Sequence, residues 1–301
     1  MELGLVGLGK MGANMAQRLV RGGHRVVGYA RSKSSVDPIL SFGAEGADSL
    51  PDLVSKLTPP RVVWLMVPSG APVDQNIDAL LPLLSPGDVL VDGGNSYYRD
   101  TLRRAAKVSA AHLDFVDCGT SGGIWGLAEG YCLMVGGTPE AVARVEPILK
   151  TLAPGPDRGW ARVGPVGAGH FVKMVHNGIE YGLMQAYAEG FAILEKKPEF
   201  AVDVAQVSEL WRYASVVRSW LLDLTAEALK ENPTLAGIQP FVVDSGEGRW
   251  TVMEAIDLDI PAPVITLALE GRLRSRETDP FAERLLAVMR NKFGGHAVRT
   301  E

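Results

Sequence analysis

The chain has 301 residues, 47% of them hydrophobic and 22% charged, with a formal net charge of −5. That is enough apolar material for one large core or two moderate ones, so two domains are expected and disorder is not. The acidic balance, with no run of Lys or Arg, argues against a nucleic-acid or anionic-membrane binder, and no stretch reaches the roughly 18 apolar residues of a membrane span. Cys118 and Cys132 stand in no metal-type spacing with His, which argues against a disulfide scaffold or a zinc site; both read as inert core thiols. The start Met1-Glu2-Leu3-Gly4 carries an acidic residue and too short an apolar run for a signal peptide, so a cytoplasmic location is expected.

Short β-rich runs alternate with helical patterns through the first half, which predicts a Rossmann-like, doubly wound α/β sheet. Strands are expected at 3–6, 25–29, 62–67, 89–92, 114–117 and 131–135, with helices at 12–21, 75–84 and 140–152. Gly7-Leu8-Gly9-Lys10-Met11-Gly12 follows the first strand and opens the first helix, the context in which a glycine fingerprint cradles a dinucleotide pyrophosphate. At the end of the second strand, Tyr29-Ala30-Arg31-Ser32-Lys33 offers no carboxylate for a ribose 2′-hydroxyl. Arg31, Ser32 and Lys33 suit a 2′-phosphate instead, which favours NADP. NAD stays open, because Arg31 stacked on adenine would serve either cofactor. Val67, closing the third expected strand, completes the cofactor set together with Asn95.

Three glycine-rich segments fall where strands of such a sheet end: Asp92-Gly93-Gly94-Asn95-Ser96, Ser121-Gly122-Gly123, and Gly136-Gly137. Ligands bind at the carboxyl ends of strands in open α/β sheets, so these loops are expected to face the nicotinamide. Asn95 and Ser121 are neutral hydrogen-bonding groups suited to a polyhydroxylated substrate. A Pro- and Gly-rich stretch then closes the first half. Residues 1–164 are expected to form the dinucleotide-binding domain and 165–301 an all-helical substrate-binding and oligomerisation domain, with helices at 168–195, at 204–229 and onward to the end.

Within the first of those helices, Lys173, His176, Asn177, Glu180 and Tyr181 lie at offsets of three, four, seven and eight and so share one face. Phe171, Val172, Met174, Val175, Ile179, Leu183 and Met184 are apolar and are expected to pack against the rest of the protein. A buried helix with one polar stripe lines a cavity, because unpaired burial of Lys and Glu is costly and those two residue types exchange protons in catalysis. The competing reading is a buried ion-pair network at a domain or subunit contact.

On these motifs the chain resembles the β-hydroxyacid dehydrogenase superfamily and, within it, the shorter form of the decarboxylating 6-phosphogluconate dehydrogenases. The narrower likeness rests on Asp92-Gly93-Gly94-Asn95, on the Lys173 stripe, and on Arg290-Asn291-Lys292-Phe293-Gly294-Gly295-His296. It implies oxidation and decarboxylation of 6-phosphogluconate to ribulose 5-phosphate, with NADP or NAD reduced and no metal. Lys173 would be the general base and Glu180 the general acid. The likeness assigns Asn95, Ser121, Gly122, Gly123, His176 and Asn177 to the substrate's hydroxyls and carboxylate or to placing the nicotinamide. Tyr181, Arg272, Arg290 and His296 would bind the phosphate end, the last two reaching in from a neighbouring subunit. A homodimer or homotetramer follows, its C-terminal tail completing a neighbour's site. Arg249-Trp250-Thr251 stands where longer members have Lys-Trp-Thr, so Arg249 takes a lysine's place near the phosphate. Shorter members often carry Asp at the position of Ala30. The enzyme alternative is a 3-hydroxyisobutyrate-type dehydrogenase, which needs neither Arg290 and His296 nor an acid at Glu180. A catalytically silent dinucleotide sensor would be expected to lack the lysine.

Overall fold

The computed structural model describes residues 1–299. The last two residues of the expected second domain lie outside the described residues. The chain divides into two compact units, Met1–Asn177 and Gly178–Glu301. The boundary falls inside a long helix, whereas the sequence pattern places it before that helix.

In the first unit, strands β1 (Glu2–Val6), β2 (Arg25–Tyr29), β3 (Glu45–Gly46), β4 (Val62–Leu65), β5 (Val89–Asp92), β6 (Asp114–Ser121), β7 (Cys132–Gly136) and β8 (Trp160–Gly164) form one sheet. Their order is β3-β2-β1-β4-β5-β6-β7-β8. Neighbours run parallel except β6 and β7, which are antiparallel. Every residue of β4 and β5 is buried, which is why Val62-Val63-Trp64-Leu65 and Val89-Leu90-Val91 read as continuous apolar runs and not as alternations. Helices α1 (Lys10–Arg21), α2 (Lys33–Leu40), α3 (Leu50–Ser55), α4 (Ala71–Leu80), α5 (Tyr98–Ala110), α6 (Gly126–Glu129) and α7 (Pro139–Leu152) connect them. Met15 and Leu19 of α1 join Ile148 and Leu149 of α7 in one apolar cluster, while Leu53, Ile77 and Val108 of α3, α4 and α5 belong to a second. The sheet is thus covered on both faces. Strand order reverses between β1 and β4, and that switch opens a crevice at the strands' carboxyl ends.

Helix α8 (Ala168–Glu195) matches its expected span and crosses the boundary between the units. Beyond it lie α9 (Val204–Trp211), α10 (Trp220–Glu231), α11 (Glu247–Asp257), α12 (Pro263–Arg274) and α13 (Phe281–Gly294). The single helix expected over 204–229 is broken. Ala214 sits at φ +57°, and the Ser219 hydroxyl accepts the Leu222 N–H at 3.1 Å to start α10 afresh. The second unit's apolar cluster is small, comprising Tyr181, Ala268 and Leu269. Ile193, Phe200, Leu210, Ile256, Val264 and Phe281 are each more than 65% exposed in the single chain.

Candidate active site

The crevice at the sheet's switch point holds a cavity of about 640 Å³. Its floor is the turn from Gly7 to Gly12, with Leu8, Gly9, Lys10 and Met11 all lining it. Gly7 has φ +96°, and a Cβ on Gly12 would overlap the Gly7 carbonyl, so side chains are excluded at both positions. Gly9 caps α1 without any side-chain acceptor, which leaves the helix's first N–H groups for an anionic ligand. Arg31, Ser32 and Ser35 line the other end, and Val67, Gly94 and Asn95 the wall. The lining contains the cations Lys10 and Arg31 and no carboxylate. Lys33 begins α2 outside that lining. These residues fit a dinucleotide: glycines for the pyrophosphate and a cationic, hydroxyl-bearing end for the ribose.

Asn95 Oδ1 accepts the Thr120 N–H at 3.2 Å, joining the loop after β5 to β6. Beyond β6, Gly122 and Gly123 take φ of +123° and +52°, a turn that side-chain-bearing residues resist. Ser121 Oγ lies 3.5 Å from His176 Nε2. The Tyr131 ring fills the space under Gly126, and burial pushes its phenol up to about 12. Cys118 is buried in the core as expected. Cys132 is not a core thiol: it is exposed at the start of β7, paired with Ser121 where the sheet runs out. Burial of its sulfur still raises that thiol, with the charge of Lys173 opposing the rise.

Lys173 is 5% exposed, and its Cβ rests so closely on Gly119 of β6 that a Cβ there would overlap it. Thr120, the next residue, lines the dinucleotide cavity. Lys173 Nζ donates to Asn177 Oδ1, which lies 3.0 Å from His176 Nδ1. Asp117, fully buried, accepts the N–H groups of Gly167 and His170 at 2.7 and 2.9 Å and so anchors the helix's first turn. Sequence reading passed over Asp117, because a lone Asp in a strand carries no motif. The apolar side of α8 departs from expectation. Met174 is buried, but Val172, Ile179, Leu183 and Met184 are 37–54% exposed, since the described chain offers no partner surface for them.

In the second unit, Glu180 is half-buried, and Tyr181 is buried with its hydroxyl 3.2 Å from Ser245 Oγ. The Arg272 guanidinium stacks 3.4 Å above the Tyr181 ring and donates to the Val243 carbonyl at 3.0 Å. Arg249 is held by Asp244 at 2.8 Å. Val243, Asp244 and Ser245 therefore each grip one of the side chains singled out in the sequence. Asp244-Ser245-Gly246 reads as no more than a turn, so that role was not visible in advance. Arg290 and His296 are exposed, and the His296 carbonyl accepts from Asn291 Nδ2 at 2.8 Å. Among the described residues, no group of three or more His, Cys, Asp or Glu side chains is placed to hold a metal ion, and no helix is long and apolar enough to cross a membrane.

Two family profiles divide the chain between them. One, described as the NAD binding domain of 6-phosphogluconate dehydrogenase, matches residues 2–164. The other, the C-terminal domain of 6-phosphogluconate dehydrogenase, matches residues 169–298. The chain belongs to the 6-phosphogluconate dehydrogenase family. YqeC of Bacillus subtilis is 44% identical over 297 residues, covering 99% of each chain. The NAD(+)-dependent, decarboxylating 6-phosphogluconate dehydrogenase of Haloferax volcanii is 44% identical over 299 residues, covering 99% of this chain and 98% of its own. The Plasmodium falciparum 6-phosphogluconate dehydrogenase, solved in its apo form and in complexes with NADP+ and with 6-phosphogluconate, superposes with a TM-score of 0.85 at 28% identity. That match covers all of this chain and 66% of the Plasmodium chain.

Proposed function

We propose that this protein oxidises and decarboxylates 6-phosphogluconate to ribulose 5-phosphate, with Lys173 as general base and Glu180 as general acid. The observation that carries the reading is the placement of Lys173: buried against Gly119, one residue from the Thr120 that lines the dinucleotide cavity. A dinucleotide held by the Gly7–Gly12 turn would supply the acceptor for the hydride that leaves carbon 3. Lys173 takes the 3-hydroxyl proton. Once protonated, it polarises the new ketone, so that carbon dioxide leaves and an enediol remains. Glu180, two helical turns further along α8, returns a proton to carbon 1. Asn95, Ser121, Gly122, Gly123, His176 and Asn177 orient the sugar acid. Tyr181, Arg249 and Arg272 take the phosphate end, joined by Arg290 and His296 of a second copy. The exposed apolar faces of the second unit support a homo-oligomer of this kind. The match of the C-terminal profile supports a phosphorylated aldonic acid over a 3-hydroxyisobutyrate-type substrate.

For the cofactor we favour NADP, supported by a lining that presents Arg31, Ser32 and Ser35 and no carboxylate. The name of the Haloferax relative points the other way. Purified protein given 6-phosphogluconate with NADP and with NAD in parallel, followed by reduced-nicotinamide absorbance, tests both readings. Faster NADP turnover is the expected result. Faster NAD turnover keeps the reaction and removes the Arg31 and Ser32 argument. Turnover with neither sinks the reaction, and a Lys173→Met protein that still turns over sinks the assignment of Lys173 as base.

A further inference from the structure

Helix α5 carries two buried polar residues on one face, Thr101 and Arg104, three positions apart and 0% and 1% exposed. Such side chains in the contact face of a helix cost stability unless each has a partner. Both have one, and the partners lead in different directions. Arg104 makes a two-pronged pair with Asp74 of α4, at 3.0 and 3.1 Å, and donates to the Gly70 carbonyl at 3.0 Å. Its remaining nitrogen lies 3.6 Å from Asp92 Oδ2. Asp92, also fully buried, accepts from the Gly94 N–H at 3.2 Å and from the Ser96 hydroxyl at 2.8 Å. One guanidinium therefore ties α4, whose Pro72, Gln75 and Asn76 line the dinucleotide cavity, to the loop that carries Gly94 and Asn95 into the same cavity.

Thr101 reaches the other way. Its Oγ1 lies 2.8 Å from His170 Nδ1, and the His170 backbone N–H is held by Asp117. The Tyr98 ring meets Phe171 edge-on at 5.3 Å, and Leu102 covers Gly167. All of these contacts fall on residues 167–171, at the start of α8 and just before Lys173.

We infer that α5 is the positioning element of the reaction centre, with Arg104 setting the dinucleotide wall and the Asn95 loop, and Thr101 setting the Lys173 helix through His170. Neither residue touches substrate; each acts through the group it holds. A hydride donor and a base must be placed to a fraction of an ångström, and a shift of about 1 Å at such a centre costs on the order of a hundredfold in rate. The proposal rests on Lys173 being the base, so the tests must keep the two ideas apart.

Thr101→Val removes the hydroxyl and keeps the shape. In single-turnover measurements with 6-phosphogluconate it is expected to slow the appearance of reduced nicotinamide about tenfold, with dinucleotide affinity unchanged. Thr101→Ser keeps a hydroxyl and should recover most of that rate. Asp74→Asn loosens the other contact and should weaken dinucleotide affinity severalfold, while leaving the saturated rate near that of the parent. Thr101→Ala serves as a second truncation, and melting temperature and dinucleotide affinity report whether each variant is folded. A wild-type hydride step in folded Thr101→Val and Thr101→Ala overturns the proposal, as does a Thr101→Ser protein no better than Thr101→Val. Lys173→Met separates the readings: if it is dead while the Thr101 variants match the parent, only the role of α5 is lost; if it turns over, the base assignment itself is wrong.

Discussion

In the proposed reaction Glu180 and Lys173 would divide the proton transfers, so replacing one should expose the step the other controls. Glu180→Gln is expected to leave the first reduction intact, seen as a burst of reduced nicotinamide, and then to slow ketose release by about a hundredfold. Unchanged steady turnover would remove Glu180 from the acid role. His24 supplies a second handle, on stability. Its ring is buried with Nε2 2.8 Å from Thr151 Oγ1, and burial holds the imidazole below its ordinary 6.5. The unfolded chain binds a proton at this site more readily than the folded one, so the stabilisation is complete above pH 6.5 and declines as pH falls from there toward the folded value. Melting curves taken at about pH 7 and about pH 5.5 should therefore differ more in the parent than in His24→Gln. Asp74, whose carboxyl is held below its ordinary 3.8 by hydrogen bonds from Arg104 and Arg103, adds its loss only in stronger acid.

Elements were legible where their buried faces are apolar. α1 and α7 bury Met15, Leu19, Val145 and Leu149 at helical spacing, and both stood out from the pattern alone. α5 did not, because the face it buries is Thr101, Arg104 and Val108, which a hydrophobic period cannot register. β3 and β8 were missed for the opposite reason: they are edge strands, short or largely exposed, with little apolar signal to give. The candidate site was readable as residue types on one stretch of helix. Its supports, Asp117, Asp244 and Ser245, came into view only once distant segments were brought together. At this scale Gly119 is the most sensitive position. A Cβ there would strike Lys173 Cβ and lie 2.8 Å from the Gly169 carbonyl. Gly119→Ala should cost about 1–3 kcal/mol of stability. It should also lower turnover about a hundredfold by lifting α8 off β6, with dinucleotide affinity retained. Denaturant titration and steady-state assay check the two effects separately.

For the molecule as a whole, the contrast lies between a first unit with two apolar clusters and a second whose cluster is Tyr181, Ala268 and Leu269. Large apolar side chains left in water are the mark of a surface meant to be covered. If a second copy covers it and lends Arg290 and His296, two defective proteins should repair each other. Lys173→Met and the doubly substituted Arg290→Ala, His296→Ala protein are each expected to be inactive alone. After dissociation and random reassociation as dimers, the mixture should regain about a quarter of parental activity, from hybrids with one intact site. No recovery in a mixture shown to exchange subunits would mean that the tail does not serve a neighbour.

Helix α8 also imposes a rule on length. On the proposed roles, base and acid are carried on one helix, so their spacing along it is counted in residues. Inserting one residue between them would swing Glu180 by about 100° and carry it about 1.5 Å along the axis. An insertion between 173 and 180 is therefore expected to abolish turnover, whereas the segment 212–219 between α9 and α10 is under no such count.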